Sequence, residues 1–174
     1  MLKSPLADAA NAAAESWAEV RARDQVMRYR RSGVGRAVVL LLCPGESPEP
    51  FWPALLEALG ADFRLIVPEL PAADADVAGW LAGFLEGLGV SNVGVLAADR
   101  FCLPALELAL LEGDQLTRIV LVSDGPGGPR HPSGGGKLQT PLGQAALPLL
   151  VVHRGQPASE VVPLVTGFLR GTNG

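Results

Sequence analysis

Apolar and polar positions change period several times along the chain, and each change marks an element. Behind Ser4-Pro5, an N-cap followed by a first-turn proline, Leu6, Ala10, Ala13, Trp17 and Val20 recur at spacings of 4, 3, 4 and 3. That rhythm predicts an amphipathic N-terminal helix within residues 1–23. VMRYR then alternates and stops at Ser32-Gly33-Val34-Gly35, as a strand closed by a turn does. AVVLLLC, residues 37–43, is continuously apolar, which implies burial on both faces and a central place in a parallel sheet.

The same unit follows three more times: a short apolar strand, a turn and a segment of helical period. PALLEALG predicts a helix ending on Gly60, and FRLIVP at 63–68 a strand ended by its proline. Asp74 or Asp76 caps a helix whose apolar face is Val77, Leu81, Phe84, Leu85 and Leu88. NVGVLA at 92–97, a helix around LPALELALLEG, RIVLVS at 118–123, PLLVVH at 148–153 and a helix through Leu164, Val165, Phe168 and Leu169 complete the series. Strands alternating with helices predict one α/β domain over 1–174, a three-layer sandwich whose mostly parallel sheet of about six strands has helices on both faces. Residues 125–146, rich in Gly, Pro and polar side chains up to Gln144, read as a flexible loop over one end of the sheet. Trp17, Trp52 and Trp80 fall on apolar helix faces and read as core.

Composition narrows the function classes. With 174 residues, 48% of them hydrophobic, the chain can bury a full core. Fourteen Lys and Arg against 18 Asp and Glu leave a net charge of -4, which argues against nucleic acid as a partner. No apolar run approaches the roughly 20 residues that span a bilayer, so no membrane partner is expected. Two cysteines, Cys43 and Cys102, suit neither a disulfide scaffold nor a zinc site, so a cytoplasmic location is expected, with no metal and no cofactor. SGGGK at 133–137 lacks the preceding strand and the Ser or Thr of a phosphate loop. Histidines are scarce: His131 and His153.

Two long stretches resemble a known family. VMRYRRSGVGRAVVLLLCPGESPEPFWPALLEALGADFRLIVPELP looks like the start of an α/β-hydrolase, with an aromatic strand, a Gly turn, a buried strand running into an oxyanion loop and a strand ending in Pro-acid-Leu-Pro. LAGFLEGLGVSNVGVLAADRFCLPALELALLEGDQLTRIVLVSDGP is similar to that family's helix, nucleophile strand, elbow and elbow helix, and ALPLLVVHRGQP to a late strand. The resemblance covers about residues 24–170 and implies an α/β-hydrolase-like core without the early hairpin strand, the cap domain or the last strand of complete relatives.

The resemblance also assigns roles, and the motifs depart from the family's pattern. The elbow G-x-S-x-G aligns with Ala97-Ala98-Asp99-Arg100-Phe101, which puts Asp99 at the nucleophile position, as in haloalkane dehalogenases and epoxide hydrolases. Phe101 stands where a small residue belongs, and argues against the strained turn. Cys43-Pro44 replaces the usual His-Gly, which leaves the backbone N–H groups of Gly45 and Arg100 as oxyanion donors. The acid is expected after the late strand, where the chain reads His153-Arg154-Gly155-Gln156, or after the preceding strand at Asp124. The catalytic histidine would follow one further strand, which the sequence lacks; His153 or His131 would have to substitute.

Plainer roles compete at each position. Asp99 suits an N-cap and Asp124 a turn. Ser47 and Ser123 are caps or turn residues first. Cys43 and Cys102, near the ends of neighbouring strands, are either a reactive pair or small apolar fillers. The expected protein is a catalytically degenerate α/β-hydrolase-like chain binding a small-molecule ligand or a partner protein, with a homodimer or a partner covering the apolar edge strand at 148–153. The alternative is an esterase, epoxide hydrolase or dehalogenase built on Asp99, Asp124 and His153.

Overall fold

The computed structural model describes residues 16–43, 51–72, 75–123, 136–139 and 146–171. Among the described residues eight strands form one sheet: β1 (Ser16–Ala22), β2 (Gln25–Ser32), β3 (Ala37–Leu42), β4 (Phe63–Pro68), β5 (Val93–Ala98), β6 (Leu116–Ser123), β7 (Gly136–Gln139) and β8 (Ala146–His153). Their order is β1-β2-β4-β3-β5-β6-β8-β7. The five central strands, β4, β3, β5, β6 and β8, are parallel, while β1, β2 and β7 run antiparallel to their neighbours.

Continuous apolarity identifies the central strands correctly because each is covered twice. On one face, Leu40, Leu42, Val95, Ile119 and Leu121 pack against α2 (Val77–Leu88) and α3 (Cys102–Glu112). On the other, Val39, Leu41, Leu96 and Val120 pack against α1 (Trp52–Asp62) and α4 (Ala158–Arg170). Asp76 caps α2, its Oδ1 accepting from Gly79 N at 2.9 Å; Asp74 lies outside the described residues. α1 continues past Gly60 to Asp62 before Phe63 turns into β4.

Three expectations change. Residues 16–22 are strand, not the end of a helix, and residues 1–15 lie outside the description. The reason is non-local: Arg23 and Asp24 both take positive φ, 47° and 61°, the conformation of a two-residue hairpin turn. That turn pairs Ser16–Ala22 with Gln25–Arg31 in unbroken register. Val20, Ala22, Met27 and Tyr29 then face α2, while Trp17 is turned outward and is 57% exposed. The early hairpin is therefore present, and the described residues give the sheet eight strands where about six were expected. Trp52 is buried and Trp80 packs against the core, as expected.

Part of the hairpin lies where α2 carries no side chain, at Gly83 and Gly87. A Cβ on Gly87 would come within 2.8 Å of Ala22 Cβ and 3.0 Å of Val20 Cγ2, and one on Gly83 within 3.2 Å of the Arg23 side chain. Arg23 also reaches Glu86 at 3.3 Å.

The third change concerns the predicted loop. Within 125–146, residues 136–139 form β7, pairing antiparallel with β8, and Ala146 already belongs to β8. Gly136 and Lys137 of the SGGGK segment are thus strand residues, whereas 124–135 and 140–145 lie outside the description. β8 is consequently not the edge of the sheet, contrary to expectation.

Candidate functional site

The parallel strands end side by side, so the residues that follow them share one rim. In register, Leu42 opposes Ala97, Ala98 opposes Val122, and Ser123 opposes His153. Cys43, Asp99, Ser123 and His153 therefore stand at the same end of four neighbouring strands.

Asp99 occupies a strained position. Between β5 and a 3-10 turn at Asp99–Phe101 it adopts φ +56°, the left-handed region, before the chain enters α3. Asp tolerates this conformation better than most side chains, which still costs of order 1 kcal/mol or more. The strand-to-helix elbow thus forms in spite of Phe101, whose ring is buried in the α2/α3 layer and carries the Arg100 guanidinium 4.8 Å above it. Ala97 and Ala98, both fully buried, leave the elbow the space it needs. Neither the 3-10 turn nor α3 has a side-chain cap, so capping does not account for Asp99.

Instead, the Asp99 carboxylate meets Arg154: Oδ1 pairs with Nη2, and both side chains are 26% exposed. A tight turn aims the arginine. His153 N donates to Gln156 Oε1 at 2.8 Å, Gln156 N to His153 O at 3.3 Å, and Gly155 takes φ +85°. Arg154 N donates to Ser123 O at 2.8 Å, which ties the turn to the end of β6. From there the side chain crosses β6, about two strand spacings, to reach the elbow.

The other candidates divide. His153 is half-buried, its Nδ1 has no hydrogen-bond partner among the described residues, and no hydrogen bond joins it to Asp99. Trp52 Nε1, at the start of α1, is likewise unpartnered among the described residues. Arg100 is exposed and directly follows the elbow. Gly45, Ser47, Asp124 and His131 lie outside the described residues.

The two cysteines are placed apart. Cys43 packs against the α1/α4 layer, whereas Cys102 is buried in the α2/α3 layer with Sγ 3.5 Å from Val122 O and 3.7 Å from Ala97 O. The two thiols thus lie in layers on opposite faces of the sheet, and no disulfide joins them. Among the described residues no cluster of His, Cys, Asp and Glu could hold a metal ion, and no helix is long and apolar enough to cross a membrane.

No protein-family model matches the sequence, and no curated protein does. Solved structures do match. Cfl2 from Burkholderia cenocepacia superimposes with a TM-score of 0.53 at 20% identity, over 63% of this chain and 42% of that one. The epoxide hydrolase CorEH gives 0.52 at 19% identity over 63% and 42%. A loop variant of the haloalkane dehalogenase DbeA from Bradyrhizobium elkanii gives 0.51 at 18% over 62% and 40%. The chain has the α/β-hydrolase fold. It spans about two fifths of the length of these α/β-hydrolase-fold chains.

Sequence reasoning missed Arg154 as a site residue. The signal was there: in the α/β-hydrolase pattern the residues after this strand hold the acid, and the chain has a cation in their place. The motif then reads with its charges exchanged, a carboxylate at the elbow and a guanidinium where a carboxylate would orient a base.

Proposed function

We propose that this chain is a non-hydrolytic member of its fold that binds a small molecule at the rim formed by the ends of β5, β6 and β8. The ion pair of Asp99 and Arg154 carries this reading. A carboxylate nucleophile attacks with an oxygen lone pair, and a guanidinium fixed on that oxygen stabilises the charge that attack must spend. An alkyl-enzyme ester also needs a base that activates water, and the imidazole beside Arg154 is not bonded to the elbow carboxylate. As a binding floor the same pair is well made: one acceptor-rich and one donor-rich side chain, three-quarters buried and preorganised by the His153–Gln156 turn.

The test is a turnover assay with nitrophenyl acetate, styrene oxide and bromobutane on the wild type, Asp99→Asn and Arg154→Gln. The expected result is no enzyme-dependent turnover in any of them. In a thermal-shift screen of small carboxylic acids and alcohols, at least one compound should raise the melting temperature of the wild type in a concentration-dependent way. Turnover that vanishes in Asp99→Asn overturns the proposal.

A second reading, a hydrolase with Asp99 as nucleophile, is favoured by one observation: the elbow keeps its left-handed φ of 56°. Under that reading Arg154→Gln frees the carboxylate and raises turnover, whereas under the binding reading it creates none.

A further inference from the structure

The β1–β2 hairpin carries features that the rim does not use. Over residues 16–36 the chain holds Arg21, Arg23, Arg28, Arg30, Arg31 and Arg36 against only Glu19 and Asp24, so this short stretch is strongly cationic in a protein of net charge -4. Strand alternation sorts the side chains. Val20, Ala22, Met27 and Tyr29 face α2, and the opposite face shows Trp17 across from Arg30, Glu19 across from Arg28 and Arg21 across from Val26. Trp17 and Val26 are 57% and 53% exposed.

Two arginines of β2 lean over β1. The guanidinium of Arg28 lies 4.9 Å from the Trp17 ring centre and that of Arg30 5.7 Å, which carries positive charge from the second strand to the outermost one. Arg28 stands 3.7 Å from Glu19 and 3.8 Å from Glu69, all well exposed, and contacts of this kind contribute about 0–1 kcal/mol. An incoming carboxylate can replace them at little cost.

β1 is also the end of the sheet. Its seven residues pair with β2 without a bulge, contain no proline, and among the described residues no strand lies on the other side. In an antiparallel pair, half of the backbone groups of such a strand point away from its neighbour, N–H and C=O alternating. A polypeptide matches that row with both donors and acceptors. A phosphodiester chain has no N–H groups to offer its carbonyls.

We infer that the outer edge of β1 docks an extended acidic polypeptide segment, which adds as a further strand and sets its carboxylates against Arg21, Arg28 and Arg30. Backbone pairing supplies the orientation and the arginines select the charge. The inference is independent of the small-molecule reading of the rim, since no residue is shared.

The test uses a fluorescein-labelled peptide of alternating glutamate and threonine in an anisotropy titration with the full chain. Saturable binding that weakens as salt is added is expected. Combining Arg21→Glu with Arg30→Glu should weaken it about tenfold or more; Arg21 is exposed and Arg30 half-buried over Trp17, so the melting temperature is measured beside the titration. If that variant melts earlier, Arg21→Gln with Arg30→Gln replaces it. The same peptide N-methylated at alternate residues, which removes the N–H groups on one edge, should not bind. Undiminished binding of the N-methylated peptide, or by the charge-altered protein, overturns the inference. Tighter binding of a labelled oligothymidine would assign the face to nucleic acid, and a concentration-dependent dimer abolished by Trp17→Glu would assign it to a second copy; either result overturns it too.

Discussion

Arg154, the first residue beyond β8, holds its Nη2 against Oδ1 of Asp99, the first residue beyond β5. The two lie 55 positions apart in sequence and are joined across the end of β6. With both side chains three-quarters buried, neither charge has full access to water if its partner is removed.

The pair should therefore be coupled in stability. Asp99→Asn and Arg154→Gln are each expected to destabilise by about 1–3 kcal/mol, and the double variant by less than their sum, with a coupling energy of about 1 kcal/mol or more. Urea denaturation of the four proteins measures it. Additive effects would mean that the contact contributes nothing.

The elbow conformation makes a prediction of its own. At φ +56° a glycine is unstrained, whereas a β-branched residue crowds its own carbonyl. Asp99→Gly and Asp99→Val both lose the ion pair, so the difference between them isolates the backbone. Asp99→Val should be less stable by about 1–2 kcal/mol, and equal midpoints in thermal melts would show an ordinary turn at this position.

Gly87 sits under the hairpin. Alanine at an exposed helical site gains roughly 1 kcal/mol over glycine, but here its Cβ would stand 2.8 Å from Ala22 Cβ. Gly87→Ala should be net destabilising by about 1–2 kcal/mol, as overpacking is, and Ala22→Gly in the same chain should recover part of the loss. Calorimetric melts of the wild type and the two variants decide it.

Cys43 and Cys102 face opposite layers, so mild oxidation should give no internal disulfide. Mass spectrometry should find both cysteines reduced. In the native protein Cys43 should react with a thiol reagent faster than the buried Cys102, and denaturant should remove the difference.

The central architecture was legible because it rests on local patterns. AVVLLLC and the runs VGVLA (93–97) and IVLV (119–122) are apolar at every position, as a strand covered on both faces requires. Asp76, one of the two cap candidates, does cap α2. The N-terminal hairpin was not legible. Ala13, Trp17 and Val20 fit a helical spacing, and nothing local outweighs it; what makes 16–22 a strand is pairing with 25–31 and the α2 surface at Gly83 and Gly87 beneath it. β7 escaped notice for the same reason, since a four-residue strand among glycines exists through its partner β8.

The site divides along the same line. Asp99 at a strand-to-helix junction could be read from the sequence, because the apolar run before it and the helical period after it are both local. Its left-handed turn and its partner could not: Phe101 argued against the elbow until the core received its ring, and Arg154 comes within reach of Asp99 only when β5, β6 and β8 lie in register. By itself the sequence determined which segments are buried on both sides and in what order they follow, since hydrophobic period is written residue by residue. Which charges meet at the rim was decided by the tertiary structure alone, because a salt bridge depends on distance in space, and strand order and register set that distance.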